Sequence, residues 1–369
     1  MDDHNNSRIP VILLTGFLGS GKTTLLNELV RQPYFSKTLV IINEFGEISL
    51  DHLLVTQSTE TVVMEMGNGC VCCSIRGDLA KVLKDATWRF ARNGSRNFDR
   101  VVIETTGLAD PAPVLHTLMT DRNIASRYRL DAIVTTVDTV NAMETLDRQM
   151  EAVKQIAVAD RIILTKTDLA DSHTLSAVQQ RVHALNPAAM QLLAINGEAD
   201  LQSAFNHPLF SIEQKSPDVM KWLNAESYDL KPNNHYKPVT ALSNQWLRTH
   251  SPATAQSDIN RHDDHVHAFC FTLEDPIDPA LFDDWLNLLM AIKGPDILRV
   301  KGILNMKNHA SPWVIHGVQH IFHPPVELPE WPSDDHRTRI VFITRDVPYS
   351  VIKDTFIALV NPAHATNAT

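Results

Sequence analysis

The run PVILLTGFLGSGKTTLLNELV, residues 10–30, holds three things in order: a short apolar strand candidate, a glycine-punctuated turn and the opening of a helix. Gly16 to Thr23 fits the pattern G-x-x-x-x-G-K-[ST]. That spacing has a mechanical reason. Glycines let a loop wrap closely, so that successive N–H groups and a helix N-terminus face a phosphate. Gly16, Gly19, Ser20, Gly21, Lys22, Thr23 and Thr24 are therefore candidate nucleotide-binding residues. Lys22 is placed to reach β- and γ-phosphates, and the Thr23 hydroxyl to coordinate Mg²⁺.

Further along, short runs rich in Val and Ile recur at 38–46, 60–67, 99–107, 131–139, 160–168 and 190–196. They are apolar nearly throughout, as strands covered on both faces must be. Helical patterns lie between them, including Lys22 to Val30, Gly77 to Ala91 and Leu175 to Leu185. Strand and helix in alternation predict an α/β fold: a P-loop NTPase domain with a mostly parallel sheet.

Two of these strands end in chemistry. VVIETTGLADP puts Glu104 at a strand end, where it could bind the Mg²⁺ shell or orient the attacking water. Gly107 could let a backbone N–H approach the γ-phosphate. LTKTDLAD puts Asp168 where two carboxylate oxygens can accept from N1–H and N2–H₂ of guanine, with the stem of Lys166 over the base. Adenine offers no such pair of donors, so GTP is the expected nucleotide. Thr165 stands where Asn is commoner in such a motif.

GNGCVCCS, residues 67–74, packs Cys70, Cys72 and Cys73 into four positions, leaving one other cysteine in the chain. The start MDDHNNSRIP is acidic and polar, the reverse of a secretory leader, so a cytoplasmic location is expected and thiols there stay reduced. A disulfide is then disfavoured, which leaves a metal site or three small core residues. Thiolates suit Zn²⁺, and two extended neighbours such as Cys72 and Cys73 point apart, so a bond between them would be strained.

With the segments NEFGEISLD and GCVCC lying between these motifs, the chain resembles the CobW/YjiA-type P-loop GTPases, relatives of UreG and HypB. The resemblance runs to the C-terminal RVKGIL, GVQHIF and RIVFI. It implies a GTP-hydrolysing metallochaperone that carries a transition metal on Cys70, Cys72 and Cys73. Zn²⁺ is the first expectation, with Co²⁺ or Ni²⁺ able to use the same ligands. A client metalloprotein and a GTP-dependent homodimer are implied with it. Glu44, Glu47 and Asp51 of NEFGEISLD could approach either Mg²⁺ or the carried metal, or form a solvated acidic loop.

The bulk numbers fit this reading. Formal charge is −10, from 33 Lys and Arg against 43 Asp and Glu, which argues against nucleic acid and anionic membranes as partners. With 369 residues the chain is expected to divide: a P-loop GTPase domain (1–205), a histidine-containing connector (206–264) and a smaller α+β C-terminal domain (265–369). Within the last, 311–323 reads as one strand. His262, His265 and His267 form either an accessory metal site or a polar linker, and His316, His320 and His323 read mostly as surface residues. Two rivals remain, a P-loop small-molecule kinase and a metal buffer with a regulatory nucleotide site. Neither accounts for Asp168, the cysteines and the intact Lys22–Thr23–Glu104 set together.

Overall fold

A computed structural model of the chain describes residues 8–43, 62–65, 74–92, 95–194, 205, 219, 223–228, 265–319, 321–322 and 324–360. Seven strands build the first sheet: β1 (Ile9–Gly16), β2 (Thr38–Asn43), β3 (Val62–Glu65), β4 (Arg100–Thr105), β5 (Tyr128–Asp138), β6 (Arg161–Thr165) and β7 (Met190–Leu193). They are ordered β3-β2-β4-β1-β5-β6-β7, and every pairing is parallel. All seven predicted strands are present. Between them run α1 (Lys22–Arg31), α2 (Ser74–Arg89), α3 (Ala112–Thr120), α4 (Ala142–Arg148), α5 (Met150–Val158) and α6 (Ser172–Leu185).

The apolar runs are continuous because both faces are covered, yet the pleat still sorts them. Val11, Leu13, Leu39, Ile41, Val101 and Ile103 turn to one face, where they meet Leu79 and Leu83 of α2 and Leu115 of α3. Their neighbours Ile12, Leu14, Val40, Ile42 and Val102 turn to the other and meet Leu25, Leu26 and Leu29 of α1. A residue period of two in each strand thus feeds two separate cores.

Register fixes which ends meet. Leu14 pairs with Glu104, Gly16 with Thr136, and Asp138 with Thr165, so the carboxyl ends of β1, β4, β5 and β6 share one edge. On the far side Ile42 pairs with both Glu104 and Glu65, so β3 also ends at that edge.

The second sheet has six antiparallel strands: β8 (Val266–Leu273), β9 (Ile297–Leu304), β10 (Trp313–Val318), β11 (Ile321–Phe322), β12 (Val326–Glu327) and β13 (Thr338–Arg345). The run 311–323, expected as one strand, is a hairpin. Gln319 takes a left-handed φ of 52°, which turns the chain back so that Gly317 pairs with Phe322. Helices α7 (Pro279–Lys293) and α8 (Tyr349–Val360) cover one face through Phe282, Trp285, Leu289, Ile352 and Phe356. The opposite face lies against the first unit: Val318 and Ile321 enter the core of α2 and α3, and Leu298 packs with Ala157 of α5.

A buried charge sits in that contact. Asp160, immediately before β6, accepts from the backbone N–H of Ile133 at 2.9 Å, from Lys301 Nζ at 3.2 Å, and from the Arg299 guanidinium. All three side chains are at most 5% exposed. Burial alone would raise the Asp160 carboxyl, but Arg299 and Lys301 outweigh it and hold the carboxyl well below its ordinary range. Burial and the neighbouring Arg299 push the Lys301 ammonium down to about 7. His316, expected at the surface, is half-buried in the same neighbourhood, where its charge acts on Asp160.

Asp160→Ala strands two buried cations and is expected to destabilise the protein by about 3–5 kcal/mol in urea titration. Replacing Asp160, Arg299 and Lys301 together by Leu, Met and Met should restore most of that loss, because the desolvation penalty disappears with the charges. Lys301 also sets a pH dependence. The unfolded lysine holds its proton well above pH 7 while the folded one releases it near 7. The unfolded state therefore binds more protons in that window, and stability should rise with pH there. Lys301→Met should flatten the rise. An unchanged urea midpoint for Asp160→Ala would show that the buried cluster of Asp160, Arg299 and Lys301 does not hold the fold together.

Candidate functional site: a phosphate loop at the carboxyl edge

The loop between β1 and α1 can close only because Gly16 lacks a side chain. At φ 143°, a Cβ there would lie 2.3 Å from Thr136 Oγ1 and 2.5 Å from its carbonyl oxygen. The Ser20 hydroxyl meets that of Thr136 at 2.7 Å and fastens the loop to β5. Gly21 caps α1 without a side-chain hydrogen bond, so the first turn's N–H groups and the helix dipole are left to an incoming anion. Lys22, 8% exposed, donates to the carbonyls of Gly16 at 3.0 Å and Phe17 at 3.1 Å, which holds its ammonium across the loop.

Thr23 Oγ1 donates to Glu104 Oε1 at 3.3 Å, joining the first turn of α1 to the end of β4. A hydroxyl beside a buried carboxylate is a set of hard oxygen donors and fits Mg²⁺. Two residues after β4 ends, Gly107 passes against the phosphate loop. A Cβ at Gly107 would sit 2.6 Å from the backbone nitrogen of Leu18. All three predicted phosphate-side elements therefore converge.

On the other side Thr165, at the end of β6, donates to the carbonyls of Ser20 at 2.8 Å and Val137 at 3.2 Å. The residue that departs from the usual Asn thus ties β6 to the phosphate loop and to β5. Lys166 adopts a left-handed φ of 56° and pairs with Asp138 at 2.7 Å. Burial pushes the Asp138 carboxyl up, but hydrogen bonds from Lys166 and Asn141 outweigh it, and it stays ionised below its usual range. A cavity of about 160 Å³ opens here, lined by Thr24, Thr165, Lys166, Asp168 and Ala194 among others. It places Asp168 beside the first turn of α1, as a planar base attached to a bound phosphate requires.

Four further residues escaped the sequence reading. Asp138 closes β5 and holds Lys166; a strand-end acid in VTTVDT was its only signal. Gln155 of α5, fully buried, donates from Nε2 to the carbonyls of Gly107 at 3.3 Å and Ala109 at 3.1 Å. Asp110 in the same loop pairs with Lys154 at 3.2 Å and also accepts from Gln319 Nε2 at 3.2 Å. The turn residue of the C-terminal hairpin therefore touches the loop that follows Glu104.

Cys70, Cys72 and Cys73 lie outside the described residues, as do Glu44, Glu47, Asp51, His262, His320 and His323. His265 pairs with Asp346 at 2.6 Å, and burial lowers the pKa of the half-buried His267. Among the described residues no group of three or more His, Cys, Asp or Glu side chains could hold a metal ion, and no helix is long and apolar enough to cross a membrane.

Comparison with known proteins gives a concordant picture. The profile of the CobW/HypB/UreG nucleotide-binding domain matches residues 10–192, and that of the cobalamin synthesis protein CobW C-terminal domain matches residues 266–360. The zinc chaperone YjiA of Escherichia coli K12 is 31% identical over 351 residues, 95% of this chain and 98% of that protein. The zinc-regulated GTPase metalloprotein activator 1 of Schizosaccharomyces pombe is 30% identical over 367 residues, covering 94% and 85%. Among solved structures, a Zn(II)-bound triple mutant of the YjiA GTPase, with one glutamate and two cysteines replaced, aligns with TM-score 0.64 at 26% identity, over 95% of this chain and 99% of that one.

Gly107→Ala forces a methyl into the backbone of Leu18. Displacement of a positioning loop by about 1 Å can cost on the order of a hundredfold in rate. Steady-state GTP hydrolysis should fall at least tenfold, by that reasoning, while the thermal unfolding midpoint moves little. Native turnover in this variant would show that the Gly107–Leu18 contact does not matter to the site.

Proposed function

The chain belongs to the CobW/HypB/UreG family of P-loop GTPases, and on that premise we propose that it hydrolyses GTP to control a transition metal, zinc first, held on Cys70, Cys72 and Cys73 and passed to a client metalloprotein. The observation that carries the nucleotide half is the convergence of Lys22, Thr23 and Glu104 at one sheet edge with a base-sized cavity containing Asp168.

The chemistry follows from these positions. N–H groups of the Gly16–Thr23 loop and the ammonium of Lys22 bind the β- and γ-phosphates. Asp168 accepts from N1–H and N2–H₂ of guanine while the Lys166 stem, held by Asp138, lies under the base. Thr23 and Glu104 would hold Mg²⁺, which would neutralise charge on the phosphates when bound. A water attacks the γ-phosphorus, the bond to the β,γ-bridging oxygen breaks to release GDP, and the water's proton leaves with the inorganic phosphate. The residues named here include no arginine to neutralise charge in the transition state, so basal turnover is slow and a partner accelerates it.

The metal half rests on where chain segments start. Residue 43 closes β2 opposite Thr105, and Glu65 closes β3 opposite Ile42, which on its other side pairs with Glu104, so both strands end at the phosphate edge. NEFGEISLD and the cysteine run follow directly from them. Cys70 follows Glu65 by five residues and Cys73 by eight, so the chain can carry the thiols at most about 18–29 Å from the end of β3. A γ-phosphate that orders NEFGEISLD thereby alters the ligands offered to the metal. Leu18 and Leu108, 57% and 56% exposed, give this edge an apolar rim suited to a GTP-dependent homodimer.

Hydrolysis should depend on Mg²⁺ and prefer GTP strongly over ATP. Asp168→Asn should shift preference to xanthosine triphosphate, whose 2-oxo group accepts from the new amide. Equal hydrolysis of ATP and GTP by the native protein would remove the assignment of Asp168.

For the metal, titration against a competing chelator should give different zinc affinities in the apo, GDP and non-hydrolysable GTP states. Linkage requires zinc to change GTP affinity by the same factor. Triple Cys→Ser should abolish the tight site and spare nucleotide binding. The zinc-bound YjiA variant has two cysteines replaced, so zinc retained by Cys→Ser protein would place the ion on other ligands. Identical zinc affinity in all three states would mean that GTP does not gate the metal.

A further inference from the structure

The loop that follows Glu104 is held from two directions. From α5, Gln155 Nε2 donates to the carbonyls of Gly107 at 3.3 Å and Ala109 at 3.1 Å, and Lys154 pairs with Asp110 at 3.2 Å. From the C-terminal sheet, Gln319 Nε2 donates to Asp110, at 3.3 Å to Oδ1 and 3.2 Å to Oδ2. A carboxylate only accepts, so the Gln319 amide must present its nitrogen and the direction of this bond is fixed. Asp110 Oδ1 also accepts from the N–H of Ala112 at 2.9 Å, where α3 begins. One side chain thus gathers contacts from α3, α5 and the second sheet.

The backbone at Gln319 singles this contact out. Val318 pairs with Ile321, so two residues join β10 to β11, and the first of them takes φ 52°. Loops of that length favour Gly, Asn or Asp at positive φ, because a longer side chain is strained there. Such a conformation persists only where the surroundings enforce it. Here Val318 and Ile321 are sunk in the core beneath α2 and α3, the Gln319 N–H donates to the carbonyl of Leu298 at 3.2 Å, and the next residue of β9, Arg299, is paired with Asp160. The amide is therefore presented to Asp110 from a fixed point.

Gly107, three residues before Asp110, lies against the backbone of Leu18 in the phosphate loop. We propose that Gln319 is a positioning residue for GTP hydrolysis: acting through Asp110, it sets where the Gly107 segment lies against the phosphate loop, and the C-terminal domain thereby sets kcat from within the same chain. Contacts to the base and the β-phosphate belong to Asp168 and the Gly16–Thr23 loop, so nucleotide binding is spared while turnover changes. The turnover half rests on the GTPase reading above; the tether half does not.

Gln319→Gly in the full chain removes the amide but also relieves the left-handed strain, so the thermal unfolding midpoint should move little. Its kcat for GTP should fall about three- to tenfold, the worth of one half-exposed hydrogen bond, while KM changes by less than about twofold. Gln319→Glu sets two carboxylates against each other and should lower kcat at least as far. Adding Asp110→Asn, whose amide can donate to the new carboxylate, should raise kcat above that of Gln319→Glu alone. Hydrogen exchange in the nucleotide-free protein reads the tether without any turnover: the amides of residues 106–110 should exchange faster in Gln319→Gly than in the native chain.

Unchanged exchange over 106–110 overturns the tether. Faster exchange with kcat unchanged, or a loss that appears in KM instead of kcat, overturns the positioning role. A double variant no faster than Gln319→Glu removes Asp110 as the route. A native protein that hydrolyses no GTP would fail the preceding reading instead and leave the exchange comparison to decide the tether.

Discussion

Parallel hydrogen-bonded register is the constraint on which the site depends. The four central strands must all run the same way, and each crossover must therefore return to the opposite edge before the next strand begins. The consequence is that Gly16, Glu104, Asp138 and Thr165, which are far apart in sequence, finish at one edge. None of them needs a special fold of its own. Hydroxyls then set the spacing: Ser20 to Thr136 and Thr165 to Ser20 hold the phosphate loop to two neighbouring strand ends. A sheet whose strands alternated in direction would split this group between two edges.

The strands, their parallel pairing and the phosphate loop were legible because they are written locally. Apolar runs of the right length, glycine spacing and a strand-end acid each occupy fewer than ten residues. Lys22, Thr23 and Glu104 could be named from such runs, and the Thr23–Glu104 hydrogen bond brings the start of α1 to the end of β4. Contacts between distant segments carry no local mark. Nothing near Gln319 announces that it turns a hairpin and reaches Asp110, 209 residues away. Gln155 reads as one of three polar residues, with Glu151 and Lys154, in a short helix, and its role appears only when the Gly107 loop is laid across it.

The histidine pattern misled for a related reason. Alternation along 311–323 presumes a continuous strand, and the left-handed Gln319 breaks the alternation after Val318. His316 then belongs to a strand facing the buried carboxylate of Asp160, not to a surface row. Thr165 misled in the opposite direction. As a departure from the commoner Asn it weakened a motif, while in the fold its hydroxyl makes the two bonds that join the end of β6 to β5 and to the phosphate loop.

The hairpin turned by Gln319 has a mechanical meaning. Val318 and Ile321, flanking the turn, are sunk in the core beneath α2 and α3, and Arg299 and Lys301 anchor the adjoining strand to Asp160. The hairpin therefore cannot slide along the surface it rests on. Any travel of the loop carrying Asp110 must either stretch the Gln319 contact or drag the whole antiparallel sheet. The C-terminal unit thus braces the loop that follows Glu104: displacing that loop costs either the Gln319–Asp110 contact or the seating of Val318 and Ile321 in the neighbouring core.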